Sequence, residues 1–164
     1  MGKIVSVLLI FCFIFVGCSS KPISDNKSQN QKYSFGPRVN ENEVTKETKE
    51  KLQEYINKLG SPEEDNISFH GISAKFTDDG SLEVVMFVRN GYKKAVWDIK
   101  SDIQIKKDNN IIASANFMFT KEEFGVLEKN ESRVWTIVYK PEFIKNSNVD
   151  LSEYVLEYTS EYKQ

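Results

Sequence analysis

Leu82-Glu83-Val84-Val85-Met86-Phe87-Val88-Arg89-Asn90-Gly91 is the stretch that decides the fold. Successive side chains of an extended chain point to opposite faces, so Leu82, Val84, Met86 and Val88 share one face while Val85 and Phe87 share the other. A strand that is apolar on both faces is a central one, covered from both sides. Asn90-Gly91 ends it with turn residues, and Tyr92-Lys93-Lys94 makes the following loop longer than a two-residue hairpin.

The same two-residue spacing recurs to either side. Ile67 to Phe76 reads as a strand closed by Asp78-Asp79-Gly80. Downstream, Val96 to Lys106 reads as a long, bent strand with Trp97, Ile99, Ile103 and Ile105 in step. Asp108-Asn109-Asn110 is a turn, and Ile111 to Phe119 the next strand. An irregular stretch with Phe124 and Leu127 leads to a turn at Lys129-Asn130-Glu131-Ser132. Arg133 to Tyr139 and Val155 to Thr159 complete the series. Six to seven short strands with regular turns predict an all-β domain over residues 64–164, an antiparallel immunoglobulin-like β-sandwich.

Before this domain the period changes. Leu52, Tyr55, Ile56 and Leu59 recur at helical spacing, and Gly60 and Pro62 follow as stop signals, so residues 43–60 read as one amphipathic helix. Its polar face mixes Lys46, Glu47, Lys49, Glu50 and Glu54, which is not the basic face of a membrane-lying helix. Packing on the following domain, or service as a spacer, suits it better than partner binding. Residues 18–42 are rich in Ser, Asn, Lys and Gln and read as a flexible, disordered tether.

The start of the chain reads as an export signal. Ile4 to Val16 is apolar except at Ser6 and follows Lys3. A bilayer-spanning helix needs about 17 to 25 apolar residues, so this shorter run fits the apolar part of a signal peptide over residues 1–17. Phe15-Val16-Gly17-Cys18 resembles the lipobox of bacterial lipoproteins, which implies diacylglycerol attachment to Cys18 and cleavage between Gly17 and Cys18. Two long acyl chains, at roughly 0.8 kcal/mol per buried CH₂, hold a protein to a membrane by on the order of 20 kcal/mol. Cys12 would leave with the signal, so the domain would have no disulfide and would rest on its core alone.

Composition removes several function classes. Lys plus Arg number 22 against 24 Asp plus Glu, a net charge of −2, and only three of the basic residues are Arg. That leaves no electrostatic footprint for nucleic acid. Two Cys and the single His70 cannot make a Cys/His zinc site and leave little for Cys-His or Ser-His catalysis. No Gly-rich phosphate loop, Gly-x-Ser-x-Gly elbow or His-Glu-x-x-His occurs. The expectation is a protein with no catalytic residues, no metal and no cofactor.

A few residues invite a site reading. Tyr92 and Trp97, on or beside one loop, are a candidate ligand surface on which a glycan would stack, against which stands packing of Trp97 into the core. Asp78-Asp79 and Glu122-Glu123 read as solvated pairs, because strand neighbours diverge and Asp-Asp-Gly lacks the spacing of a calcium loop. His70 is either a pH sensor or an edge-strand residue.

Residues 82–91, the run Glu128 to Tyr139 with Trp135 in its strand, and Asp150-Leu151-Ser152-Glu153-Tyr154 together resemble the SLAP domain, the S-layer-associated protein domain of Gram-positive surface proteins. The resemblance runs in order from Ile67 to Tyr158. It implies a surface-associated β domain without chemistry, in a family that includes proteins linked to accessory secretion and S-layer assembly. Trp135 would be a core anchor, with Asn90-Gly91 and Glu131-Ser132 as turns. The expectation is a lipoprotein on the extracytoplasmic face of the cell membrane, held there by the lipid on Cys18. It would act on exported surface proteins or accessory secretion machinery, or alternatively bind cell-wall polymer or glycan.

Overall fold

Seven strands and one α-helix form among residues 31–37 and 39–164, the part of the chain that this computed structural model describes. The signal segment 1–17, the pair Gly17 and Cys18, and the tether up to residue 30 lie outside the described residues. The elements are β1 (Tyr33–Phe35), α1 (Lys46–Leu59), β2 (Ile67–Phe76), β3 (Leu82–Asn90), β4 (Trp97–Lys107), β5 (Asn110–Phe119), β6 (Ser132–Tyr139) and β7 (Val155–Lys163), with a 3-10 turn at Pro141–Phe143. The expected strands are all present, most of them within a residue or two, and the last runs four residues further.

The strands make two sheets, one in the order β1-β6-β3-β2 and the other β5-β4-β7. They face each other across an apolar core. Leu82, Val84, Met86 and Val88 of β3, Ile67 and Phe69 of β2, and Ile137 and Tyr139 of β6 meet Ile99, Ile103 and Ile105 of β4, with Ala113 and Phe119 of β5. The fold is the expected β-sandwich. One pairing departs from the antiparallel rule, since β1 runs parallel to β6 with Tyr33 opposite Ser132 and Phe35 opposite Val134.

The second face of β3 explains why it is apolar. Fully buried Phe87 turns away from the sandwich and is covered by α1, through Leu52 and Ile56 with Tyr55 and Leu59, and by Tyr33 and Phe35 of β1. Tyr55 stacks on Phe87 with ring centroids 6.1 Å apart, and Tyr33 meets it edge-on at 5.8 Å. The helix therefore packs on the sheet as a third layer. It begins at Lys46, later than expected, because the Thr45 side chain accepts a hydrogen bond from the Thr48 N–H and caps it; Gly60 at φ 68° ends it. A strand also lies within the stretch read as tether. Tyr33-Ser34-Phe35 is too short to show a period, and only its ring contacts and its pairing with β6 make it a strand.

Two edges are covered. The Ile112 carbonyl of β5 accepts from the N–H groups of Lys145 and Asn146, and Ala113 bridges Ile144. On the four-stranded sheet, β1 sits outside β6. The opposite flank, where β2 and β7 are the outer strands of their sheets, carries no further strand among the described residues.

Candidate functional site

Arg89 and Arg133 lie inside β3 and β6, both buried. Arg89 sits opposite Ser68, on the face that the helix covers. Its Nε donates to Ser132 Oγ at 3.1 Å and its Nη2 to the Gly60 carbonyl, so a cation closes the C-terminal end of α1 where the helix dipole is negative. No carboxylate pairs with it among the described residues, and burial pulls its pKa below the ordinary value.

Arg133 does more cross-linking. It pairs with Glu131 at 2.7 Å, donates to Ser34 Oγ of β1 at 3.0 Å, and reaches the carbonyls of Phe124 and Val126 (3.0 Å to the latter) while lying over the Phe124 ring. Glu131 also accepts from Ser34 Oγ and from the Glu128 N–H. The expected turn at Glu131-Ser132 is thus a knot of ionic and polar contacts that ties β1 to the sandwich. Asn90 is likewise more than a turn residue. It is fully buried, and its Nδ2 lies 2.8 to 3.1 Å from the carbonyls of Lys94, Leu127 and Glu128.

Trp135 packs against the core as an anchor, edge-on to Phe124 at 5.1 Å, with Gly36 of the β1 turn over its ring. Trp97 does not join the core. It is half-buried, and Lys121 Nζ lies 5.5 Å from its ring centroid. Asp98 has a left-handed φ of 48° and the β4–β7 register shifts between Trp97 and Lys100, so Trp97 falls out of step with Ile99 while Val96 and Ile99 are fully buried. Tyr92 packs against the core and pairs with Tyr162 at 5.0 Å. The structure does not pair Tyr92 with Trp97 ring to ring among the described residues. In the Asp78-Asp79-Gly80 turn, the Asp79 carboxylate accepts from Thr77 Oγ and the Ser81 N–H, which holds the turn.

The open flank holds a groove of about 890 Å³. Tyr55 of the helix, Phe69 to Ile72 of β2, Lys106 to Asp108 at the β4–β5 turn, and the stretch from Ser152 to Tyr158 line it. Its floor is shaped by Gly71, because a Cβ there would lie 2.5 Å from the Tyr154 hydroxyl oxygen and 2.6 to 2.8 Å from its ring carbons. Tyr55 Oη donates to the Gly71 carbonyl at 2.8 Å, whereas the buried Tyr154 hydroxyl has no hydrogen-bond partner among the described residues. Burial pushes the Tyr154 phenol up to about 12. His70 is half-buried at the groove with Nε2 3.2 Å from Ser68 Oγ; burial and the Arg89 charge hold its pKa below the ordinary value, with Glu63 opposing them.

Sequence reasoning passed over Arg89, Arg133 and Tyr154. A signal existed for the first two: they are two of only three arginines, each set in an apolar strand, where a charge requires internal partners. Tyr154 carried none, because its setting depends on Gly71, 83 positions away.

A family model described as the SLAP domain matches residues 33–160, from the first residue of β1 into β7. No curated protein gives a significant match.

Proposed function

The chain belongs to the SLAP domain family, and from that premise we propose that it is a membrane-anchored, extracytoplasmic lipoprotein whose domain is a non-catalytic protein-interaction module serving surface-protein export or S-layer assembly. SLAP denotes the S-layer-associated protein domain, so the chain is a surface-associated protein. No helix among the described residues is long and apolar enough to cross a membrane. The anchor in this reading is the lipid on Cys18, ahead of the domain.

The observation that carries the reading is the match over the whole β1–α1–sandwich unit, combined with where that unit spends its polar side chains. Arg89, Arg133, Glu131 and Asn90 are all committed to holding elements together. What remains for recognition is surface, and on the flank of β2 and β7 no further strand lies outside either sheet among the described residues. Free sheet edges and the grooves beside them are recurrent protein-docking surfaces.

Capture from detergent-solubilised membranes, run beside retention on purified peptidoglycan with its attached polymers, tests the reading. Exported or secretion proteins retained by the full chain, without polymer retention, are expected; polymer retention without protein partners overturns it. The anchor is tested separately by Cys18→Ala, which is expected to raise the protein's mobility out of the membrane fraction and to remove the lipid mass. Membrane fractionation at unchanged mass overturns the lipoprotein assignment.

A further inference from the structure

We propose that Asn90-Gly91 is a deamidation site that the folded domain keeps closed and the unfolded chain leaves open, and that reaction there turns unfolding into an irreversible loss of the native fold. The site bears on the lifetime of the domain, whatever partner the domain serves.

Asn90 is the only asparagine of the chain followed by glycine. Glycine has no Cβ to hinder its backbone nitrogen, and its backbone turns freely, so an unfolded Asn-Gly pair reaches the ring-closing geometry more readily than asparagine before any other residue. The Gly91 nitrogen attacks Asn90 Cγ and the new C–N bond closes a five-membered succinimide. The side-chain amide leaves as ammonia, carrying the Gly91 proton. Water, the only co-reactant, then adds to one of the two ring carbonyls and opens the ring to aspartate or isoaspartate.

Packing requires both members of this labile pair. A Cβ at position 91 would lie 1.6 Å from the Glu63 carbonyl oxygen, so glycine is needed there. Asn90 is fully buried; its Nδ2 donates to the carbonyls of Lys94, Leu127 and Glu128, and its Oδ1 accepts from the Tyr92 N–H at 2.9 Å. A side-chain amide supplies donors and an acceptor at once. An ionised aspartate only accepts, and it would face three carbonyl oxygens away from water.

The same contacts hold the reaction off. The Gly91 N–H donates to the Asn66 carbonyl at 2.8 Å and the Asn90 N–H to the Glu131 carbonyl at 2.9 Å, so the nucleophile is engaged and the backbone on both sides of the reacting carbon is pinned. Nδ2, ringed by carbonyls, is shielded from the proton it needs to leave. Deamidation therefore waits for β3 to detach. The product then carries a carboxylate, or an extra backbone methylene, where the native packing requires an amide, and the reacted chain is lost to refolding.

The test is peptide mapping by mass spectrometry on the full chain in mild detergent, aged at mildly alkaline pH with and without guanidinium chloride. Asn146-Ser147, an exposed pair, is the reference. In guanidinium chloride Asn90 is expected to react faster than Asn146. In the native protein the order is expected to reverse, with Asn90 slowed at least about a hundredfold, because a core strand opens only in rare, nearly global fluctuations. Native Asn90 reacting at the rate seen in guanidinium chloride, or Asn146 outpacing it there, overturns the proposal. Dilution of the aged unfolded sample tests the consequence: the refolded fraction is expected to keep chains modified at Asn146 and to be at least about tenfold depleted in chains modified at Asn90. Equal content of the two modifications in that fraction overturns the proposal. Asn90→Asp supplies one product directly and is expected to fail to refold or to lose thermal midpoint; refolding at the parent's midpoint refutes the irreversible step.

Discussion

Phe87→Ala, compared with its neighbour Met86→Ala, isolates the layer that the helix adds. Both side chains are fully buried, yet Met86 faces the sandwich core and Phe87 faces α1 and β1. Removing a buried phenylalanine costs about 3 to 5 kcal/mol, and the upper part of that range applies because Phe87 also makes ring pairs with Tyr33 and Tyr55. With a urea dependence of about 2 kcal/mol per molar, the midpoint is expected to fall by about 2 M. Met86→Ala is expected to destabilise by about 2 to 5 kcal/mol, an overlapping range. The variants should differ in where protection is lost. A helix of 14 residues is marginal in water without tertiary support, so Phe87→Ala should release α1 and β1 first. Urea unfolding followed by circular dichroism gives the magnitude, and amide hydrogen exchange gives the location. A loss under 1 kcal/mol in Phe87→Ala, or helix amides as protected as in the parent, refutes the argument that α1 is a structural layer.

Other outcomes follow from the same contacts. Gly91→Ala is expected to prevent folding or to lower the thermal midpoint more than Gly36→Ala, because a Cβ at 91 would lie 1.6 Å from the Glu63 carbonyl oxygen, a backbone atom, while at 36 it meets the Trp135 ring at 2.3 Å; calorimetry on both ranks them. Glu131→Gln leaves Arg133 buried without its carboxylate and is expected to destabilise by about 3 kcal/mol, with β1 amides losing protection in hydrogen exchange. His70 has a folded-state pKa below its unfolded value, so the folded state binds fewer protons and its contribution is lost as pH falls from about 6.5 towards the lowered value. The groups facing it are Arg89, Glu63 and Ser68. His70→Gln is expected to remove that part of the pH dependence, and a parent chain whose urea midpoint is flat between pH 7 and 5 contradicts the assignment.

Much of the fold is legible along the chain because strand periodicity is local. The alternation in residues 82–91 announces a strand covered on both faces, but not that a helix supplies the second cover. Val96 to Lys106 shows the limit of the same rule: read at spacing two, Trp97 joins Ile99 in the core, and a single left-handed residue at Asp98 breaks the step. Tyr33-Ser34-Phe35 shows another limit, since three residues carry no period and their partner is about 100 positions away in β6. Tyr92 and Trp97, the candidate ligand surface, are close in sequence, yet the chain between them sends Tyr92 to Tyr162 and Trp97 to Lys121.

The amino-acid sequence by itself determined the all-β class, the positions of β2 to β7, the amphipathic helix, the family and the expectation of a lipid anchor at Cys18. Each of these is written in the spacing or identity of near neighbours. The tertiary structure alone decided that α1 and β1 belong to the domain, that Arg89 and Arg133 are internal ties, and that one flank is left open with a tyrosine-lined groove. Those features depend on groups brought together from distant positions, such as Gly71 with Tyr154 and Ser34 with Arg133. Burial and charge balance belong to such meetings and not to any one segment of the chain.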